Sequence, residues 1–297
     1  MSNVLAVDVG GTNIKCAVFD RDLTIVESRT LETPSRDESG KAVVDAIKDL
    51  TRELRESFDL VSVGLAVPGT LDEPRGIARW AGNLGWRDTA IVSMLENAIQ
   101  LPIAFRHDVR AGALAELRSG ALKGIKDGIF LPVGTGIACA IILDGEIRAS
   151  EGFAGEIGHI NVGSHRECVC GQDGCLEATS STLAISKEYE KKSGTKLSTN
   201  EIVNRISQDQ FAREVYDEAI DGLVMACDIL ATLLAPEVVV IGGGFSMAGS
   251  SLILDIENRL ANELSFQRKP RLTLAHFGIQ SGMYGCGIMA WEKINGK

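Results

Sequence analysis

The chain has 297 residues, 45% of them apolar and 24% charged, which suits two soluble domains that each bury a core. Asp and Glu number 40 against 30 Lys and Arg, a formal charge of -10 that argues against the basic face nucleic-acid binding needs. No apolar run reaches the ~18 residues of a membrane helix, and no signal segment stands ahead of Val4.

Asn3 to Val9 reads as a strand ending in Asp8-Val-Gly-Gly-Thr12. Ile14 to Phe19 and Leu23 to Thr30 continue it as a hairpin and a third strand. The tip at Gly10, Gly11 and Thr12 offers backbone N–H groups and a hydroxyl to a phosphate, and Asp8 can hold magnesium through water. A plain Gly-rich hairpin is the alternative. Ser39 to Phe58 has apolar residues at helical spacing, and Leu60 to Val67 is the continuous run of a doubly covered strand. Pro68 to Asp72 reads as a turn, Arg79 to Trp86 as a loop offering the Asn83 amide and an indole, and Asp88 as the N-cap of a helix through Gln100. A strand from Pro102 to Arg106 runs through His107 into Asp108, ahead of a small-residue helix from Val109 to Arg118. Asp108 therefore lies at a strand-to-helix junction, where α/β sheets place functional groups. From position alone a helix cap is the favoured reading.

The pattern then repeats. Ile129 to Val133, the turn Gly134-Thr135-Gly136-Ile-Ala138, and Cys139 to Leu143 form a second strand, glycine turn and strand. The repetition suggests an internal duplication, and two such tips strengthen the phosphate reading. Further on, helices are expected at Thr179–Ser193, Ser198–Ile206 with a Ser198–Glu201 capping box, and Phe211–Leu234 with Val215, Ala219, Leu223, Ala226, Leu230 and Leu233 on one face. The strand Val238–Ile241 feeds Gly242, Gly243 and Gly244, glycines that let a nucleotide approach the backbone. A helix at Ser250–Ser265, a strand at Leu272–Ala275 and a last helix from about Gly282 to Ile294 complete the chain.

Between these halves Glu156-Ile-Gly-His159 precedes Cys168-Val-Cys170-Gly-Gln-Asp-Gly-Cys175-Leu-Glu177. One imidazole and three thiols suit tetrahedral zinc with no open position, and Gly171 and Gly174 allow the tight turns required. Buried free thiols are the alternative. The remaining four cysteines, Cys16, Cys139, Cys227 and Cys286, sit in apolar surroundings as small core residues. This usage fits a reducing cytoplasm.

Together, Asp8 to Thr12, Pro68 to Asp72, Asn83-Leu-Gly-Trp86, Asp108, Gly134 to Gly136, Glu156 to His159, the cysteine motif to Glu177 and Gly242 to Gly244 resemble the ROK family of sugar kinases and repressors over essentially the whole chain. The resemblance implies two actin-like (ribonuclease H-like) α/β domains around a nucleotide and sugar cleft. Their expected bounds are 1–118 and 119–297, the second carrying the zinc insertion, with the last helix able to return to the first. It also implies ATP and magnesium at Asp8, Gly10, Gly11, Thr12, Gly134, Thr135, Gly136 and Gly242 to Gly244. Asp108 would be the catalytic base, overturning the cap reading, and Asn83, His107, Asp108, Glu156, His159 and Glu177 would meet sugar hydroxyls. Structural zinc would sit on His159, Cys168, Cys170 and Cys175. The expected activity is ATP-dependent phosphorylation of a hexose 6-hydroxyl, glucose first, in a cytoplasmic homodimer with neither nucleic-acid nor membrane partners.

N-acetylmannosamine is the close rival substrate, followed by fructose and allose, and polyphosphate is an alternative donor. A repressor needs a DNA-binding segment ahead of the first phosphate turn, where only seven residues stand before Asp8. A non-catalytic sugar-binding regulator is the other class. Three positions depart from the family pattern: His107 stands where Asn is usual, Ala138 replaces a glycine, and Ile279 to Gly282 lacks an acidic pair.

Overall fold

In the computed structural model, which describes residues 2–34 and 37–296, the chain falls into two compact units. One comprises Met1–Ala115, Ala149–Phe153 and Gln280–Lys297, the other Glu116–Arg148 and Ala154–Ile279. Met1 and Lys297, the outermost bounds of the expected domains, lie outside the described residues.

The first unit opens with β1 (Ser2–Val9), which the glycine turn returns antiparallel as β2 (Asn13–Phe19) and then β3 (Ile25–Glu32). Helix α1 (Lys41–Leu54) buries Val43, Val44, Ile47, Leu50 and Leu54. It leads into β4 (Asp59–Val67), which pairs parallel with β1. The expected turn and loop that follow are instead three short strands, β5 (Thr70–Asp72), β6 (Ile77–Ala81) and β7 (Trp86–Thr89), in an antiparallel sheet of their own. Leu71, Ala78, Ala81 and Trp86 point inward from it, so the Trp86 indole is core and not part of a site. Helix α2 (Ile91–Ile99) is not capped by Asp88. Asp88 has φ 47, and its carboxylate accepts from Arg79, which also grips Asp72. Strand β8 (Ile103–His107), parallel to β4, runs into α3 (Asp108–Ser119).

In the second unit, β9 (Gly128–Pro132), β10 (Ala140–Leu143) and β11 (Glu146–Arg148) repeat the antiparallel trio. The expected single helix over 179–193 is split into α4 (Leu176–Ser180) and α5 (Thr182–Ser193). Ser181 is extended between them, its hydroxyl accepting the Ala184 N–H to cap α5. Helix α6 (Thr199–Val203) begins with the expected Ser198–Glu201 capping box. Helix α7 (Gln210–Leu234) buries the expected face except Leu233, which is 74% exposed near the helix end. Then β12 (Val238–Gly242), α8 (Ser250–Glu263) and β13 (Arg271–Leu274) finish the unit, with β12 parallel to both β9 and β13.

The two five-stranded sheets share one plan: β3-β2-β1-β4-β8 and β11-β10-β9-β12-β13, three antiparallel strands followed by two parallel ones. That is the duplication suggested by the repeated glycine turns. Helix α9 (Ser281–Ile294) returns to the first unit. It lies so close to the sheet that a side chain at Gly64 would collide with the Cys286 carbonyl, and the Ser62 hydroxyl donates to the Ala290 carbonyl at 2.8 Å. Each unit has its own apolar cluster, and Cys16, Cys139, Cys227 and Cys286 are buried in the two cores as expected. Among the described residues no helix is long and apolar enough to cross a membrane.

Candidate active site

In the first unit the β1–β2 tip is closed by the Gly10 N–H donating to the Asn13 carbonyl at 2.9 Å. Gly10 therefore spends its donor on the turn, and Gly11 and Thr12 form the exposed tip. Thr33 holds the tip from behind, its hydroxyl donating to the Gly10 carbonyl and its N–H to the Thr12 carbonyl. A Cβ on Gly11 would lie 3.1 Å from the Asn83 Cβ, so the phosphate-type turn and the Asn83 amide are neighbours.

Asp8, at the end of β1, faces Asp108 electrostatically. Burial, reinforced by the Asp108 charge and opposed by Lys15, raises the Asp8 carboxyl from 3.8 to about 7. The folded chain thus holds this proton more tightly than the unfolded one. The resulting stability is complete below pH 3.8 and is lost progressively as pH rises to about 7. In magnesium- and nucleotide-free buffer, the melting temperature of the wild type should fall between pH 5 and 7.5 more steeply than that of Asp8→Asn. Parallel melting curves for the two proteins would refute the shift.

Asp108 is the first residue of α3, with a side chain 37% exposed. Its Oδ1 accepts the Val109 N–H at 2.7 Å, so it makes a local helix-start bond as well as presenting a carboxylate. The His107 ring is buried, with Nδ1 3.1 Å from Asp108 Oδ1 and 3.2 Å from the Val109 nitrogen. With Nδ1 bare the ring accepts from Val109, and with a hydrogen on Nδ1 it donates to Asp108. Sequence reasoning missed the groups behind this junction. Glu73 Oε1 accepts the His107 N–H at 3.0 Å and the Arg110 Nε–H at 2.8 Å. Glu73 is only the residue after β5, and its partners lie 34 and 37 positions away, so no local pattern marks it.

In the second unit the Gly134 N–H donates to the Gly136 carbonyl at 3.0 Å, closing the other turn and leaving Thr135 and Gly136 exposed. Glu177, in the first turn of α4, accepts the Ile137 N–H through Oε2 at 2.8 Å. A Cβ on Gly136 would come within 2.6 Å of that oxygen, and one on Gly158 would collide with the Ile137 carbonyl. Glu177, expected only at a sugar, is thus also a clasp on the phosphate-type turn. Glu156 is exposed just before the short helical turn Ile157–His159.

The glycines Gly242 and Gly243 have a packing explanation. A Cβ on Gly242 would press on the Phe130 ring at 2.9 Å, and one on Gly243 would meet the Val133 carbonyl oxygen at 2.5 Å. Close packing therefore accounts for two of these three glycines without a nucleotide, whereas a Cβ on Gly244 would meet only the Thr182 methyl at 3.5 Å.

The ligand atoms of His159, Cys168, Cys170 and Cys175 all lie within 4.8 Å of one another. Cys168 Sγ is 3.7 Å from His159 Nδ1, and Cys170 Sγ is 3.6 Å from Cys175 Sγ. These separations fit four ligands around one tetrahedral zinc, whose bonds are about 2.0–2.3 Å. Gly171 and Gly174, at φ 89 and 82, make the turns that bring the sulfurs together. Burial pushes the Cys175 thiol up to about 12 and raises Cys168, while the Gln172 N–H pulls Cys170 down. One imidazole and three thiols this close, which would bind as thiolates after giving up their protons to a metal, form a donor set that fits zinc.

Paired sheets of one plan, each with a glycine tip after its first strand, define an actin-like ATPase fold. Within that fold the chain belongs to the ROK family, whose sequence profile matches residues 4–293. It is 32% identical to a glucokinase of Halalkalibacterium halodurans, over 98% of this chain and 96% of that protein. A ROK family glucokinase from Streptomyces griseus, solved in complex with glucose and AMPPNP, superposes with a TM-score of 0.86 at 26% identity, covering 98% of this chain and 100% of that one. The ROK hexokinase of Thermus thermophilus gives a TM-score of 0.81 at 28% identity, covering 99% and 100%.

Proposed function

We propose that this chain transfers the γ-phosphoryl group of ATP to the 6-hydroxyl of a hexose, with glucose as the preferred acceptor. The carrying observation is Asp108: a partly exposed carboxylate at a strand-to-helix junction, one oxygen tethered by Val109, beside the buried carboxyl of Asp8. The glucokinase relatives support glucose as the acceptor.

A sugar hydroxyl is a weak nucleophile. Asp108 accepts its proton as the oxygen attacks the γ-phosphorus, the bond from that phosphorus to the β,γ-bridging oxygen breaks, and ADP leaves. Asn83, His107, Glu156, His159 and Glu177 are the residues we assign to the other hydroxyls, and polar groups that pair with each hydroxyl discriminate against analogues that leave one unpaired. The tips at Gly11–Thr12 and Thr135–Gly136 offer N–H groups to phosphate oxygens, Gly10 and Gly134 shape those tips, and Gly242 to Gly244 border the adenosine. Asp8 is the magnesium residue, and its crowding by Asp108 fits a nearby cation. Magnesium supplies charge neutralisation on the phosphates. Zinc on His159, Cys168, Cys170 and Cys175 is structural; His159 turns Nδ1 toward the thiols, leaving Nε2 for other contacts.

Purified protein with magnesium and ATP should release ADP fastest with glucose in a panel that also holds N-acetylmannosamine, fructose and allose. A faster rate with N-acetylmannosamine would overturn glucose. Failure of every sugar would overturn the kinase reading.

A further inference from the structure

We propose that Glu73 is a positioning residue for Asp108, fastening the junction that carries the catalytic carboxylate to the sheet that carries Asn83. The inference rests on Asp108 acting as the base in sugar phosphorylation.

Glu73 directly follows β5 in the three-stranded sheet, and Asn83 lies between β6 and β7 of that sheet. Its single oxygen Oε1 accepts from the last backbone amide of β8, at His107, and from the Arg110 side chain in the first turn of α3. Arg106 approaches the other oxygen at 3.9 Å. The three cationic or N–H groups on Glu73 belong to residues 106, 107 and 110, so they bracket Asp108 on both sides in the chain. Rotating the backbone at 107–109 to swing the Asp108 carboxylate away would break one of these bonds. Strand β8 is also the last strand of its sheet, so an amide on its outer edge lacks a strand partner, and Glu73 supplies the acceptor.

Arg110 makes a purely structural explanation incomplete. It is 2% exposed, and its Nη2 is buried without a hydrogen-bond partner. A buried guanidinium with an unsatisfied nitrogen is costly, and an apolar residue at this position could pack as well. Keeping the pair two residues from Asp108 makes sense if it sets direction as well as filling space. Asn83, placed to touch a sugar, and Asp108, placed to deprotonate it, are then referenced to one scaffold. A displacement of about 1 Å at a reacting group can cost about a hundredfold in rate, so such referencing matters.

The test compares the wild type, Glu73→Ala and Glu73→Gln with glucose and ATP. Glu73→Ala should lower kcat by about 10–100-fold while the KM for ATP stays within about twofold. Glu73→Gln keeps an oxygen for both N–H groups and should recover kcat to within about fivefold of wild type. Should the alanine variant not fold, Glu73→Asp, shortened by one methylene, should show the same kcat-selective loss. The His107 amide, followed by NMR, should exchange faster with solvent in the alanine or aspartate variant and stay protected in the glutamine variant.

A kcat within twofold of wild type for the alanine variant, or equal loss in the alanine and glutamine variants, overturns the proposal. If the wild type itself turns over no sugar, the kinase reading fails on that result. The His107 exchange comparison then decides the positioning alone, and unchanged exchange in Glu73→Ala overturns it.

Discussion

Asp108→Asn should reduce kcat by about 10²–10⁴-fold, the usual worth of general-base assistance, while sugar binding partly survives. Asparagine keeps an oxygen that can accept the Val109 N–H, so the start of α3 and its bond at 2.7 Å are retained. What it lacks is a group that can take the hydroxyl proton. A second readout separates loss of chemistry from loss of fold. Burial is the main cause of the raised Asp8 carboxyl, and the Asp108 charge is the next, so the variant should titrate Asp8 below about 7 without returning it to the ordinary 3.8. Coupled ADP release and glucose titration calorimetry measure the first pair of effects, and carboxyl NMR the second. Near-normal turnover would remove Asp108 from the role of base.

Cys170→Ser should abolish zinc retention and weaken sugar binding more than ATP binding. A hydroxyl is a poor replacement for a thiolate on a soft, tetrahedral ion. Structural zinc contributes roughly 10–16 kcal/mol in small peptides, ample to hold a loop that turns through Gly171 and Gly174. Without it the loop from His159 to Cys175 loses its common anchor, and Glu156, His159 and Glu177 lose their placement. We expect the sugar KM to rise about 10–100-fold, the scale on which supporting groups around a site act. ATP is not spared entirely, because Glu177 also grips the Ile137 N–H behind the second glycine turn. Metal analysis and paired KM measurements decide it: no zinc in the wild type, or equal loss for both substrates, would count against this role.

The main sheets were legible because their central strands, β1, β4, β9 and β12, are apolar runs, and the first strand of each sheet leads into a glycine turn. The clustering of His159, Cys168, Cys170 and Cys175 was legible because all four lie in one short stretch, so spacing alone could group them. The sheet β5-β6-β7 was not, since polar residues such as Thr70, Asp72, Arg79, Arg87 and Asp88 break its strands so that none forms an apolar run. Trp86 reads as a loop aromatic until the fold shows it buried at 1% exposure. Asp88 looks like a helix cap until Arg79, nine positions earlier, is seen to claim it. Ser181 hides a break because the apolar spacing runs on across it. The Glu73 cluster and the Glu177 clasp share one cause of invisibility: each joins residues more than 30 positions apart, 34 for Glu73–His107 and 40 for Glu177–Ile137.

The return of α9 bears on how the protein is made. Cys286 donates its thiol hydrogen to the Val7 carbonyl, and the Trp291 indole donates to the Asp20 carbonyl. Strands made early are therefore covered by a helix made much later, Val7 and Cys286 standing 279 positions apart. Chains usually fold from the N-terminus as synthesis proceeds, but here the stretch from Glu116 to Ile279 is fully synthesised while the first unit still lacks its final helix. Until α9 arrives, β1 and β4 lack the cover that it provides. A premature stop anywhere before Ser281 damages the N-terminal sheet, although every residue of that sheet has already been made.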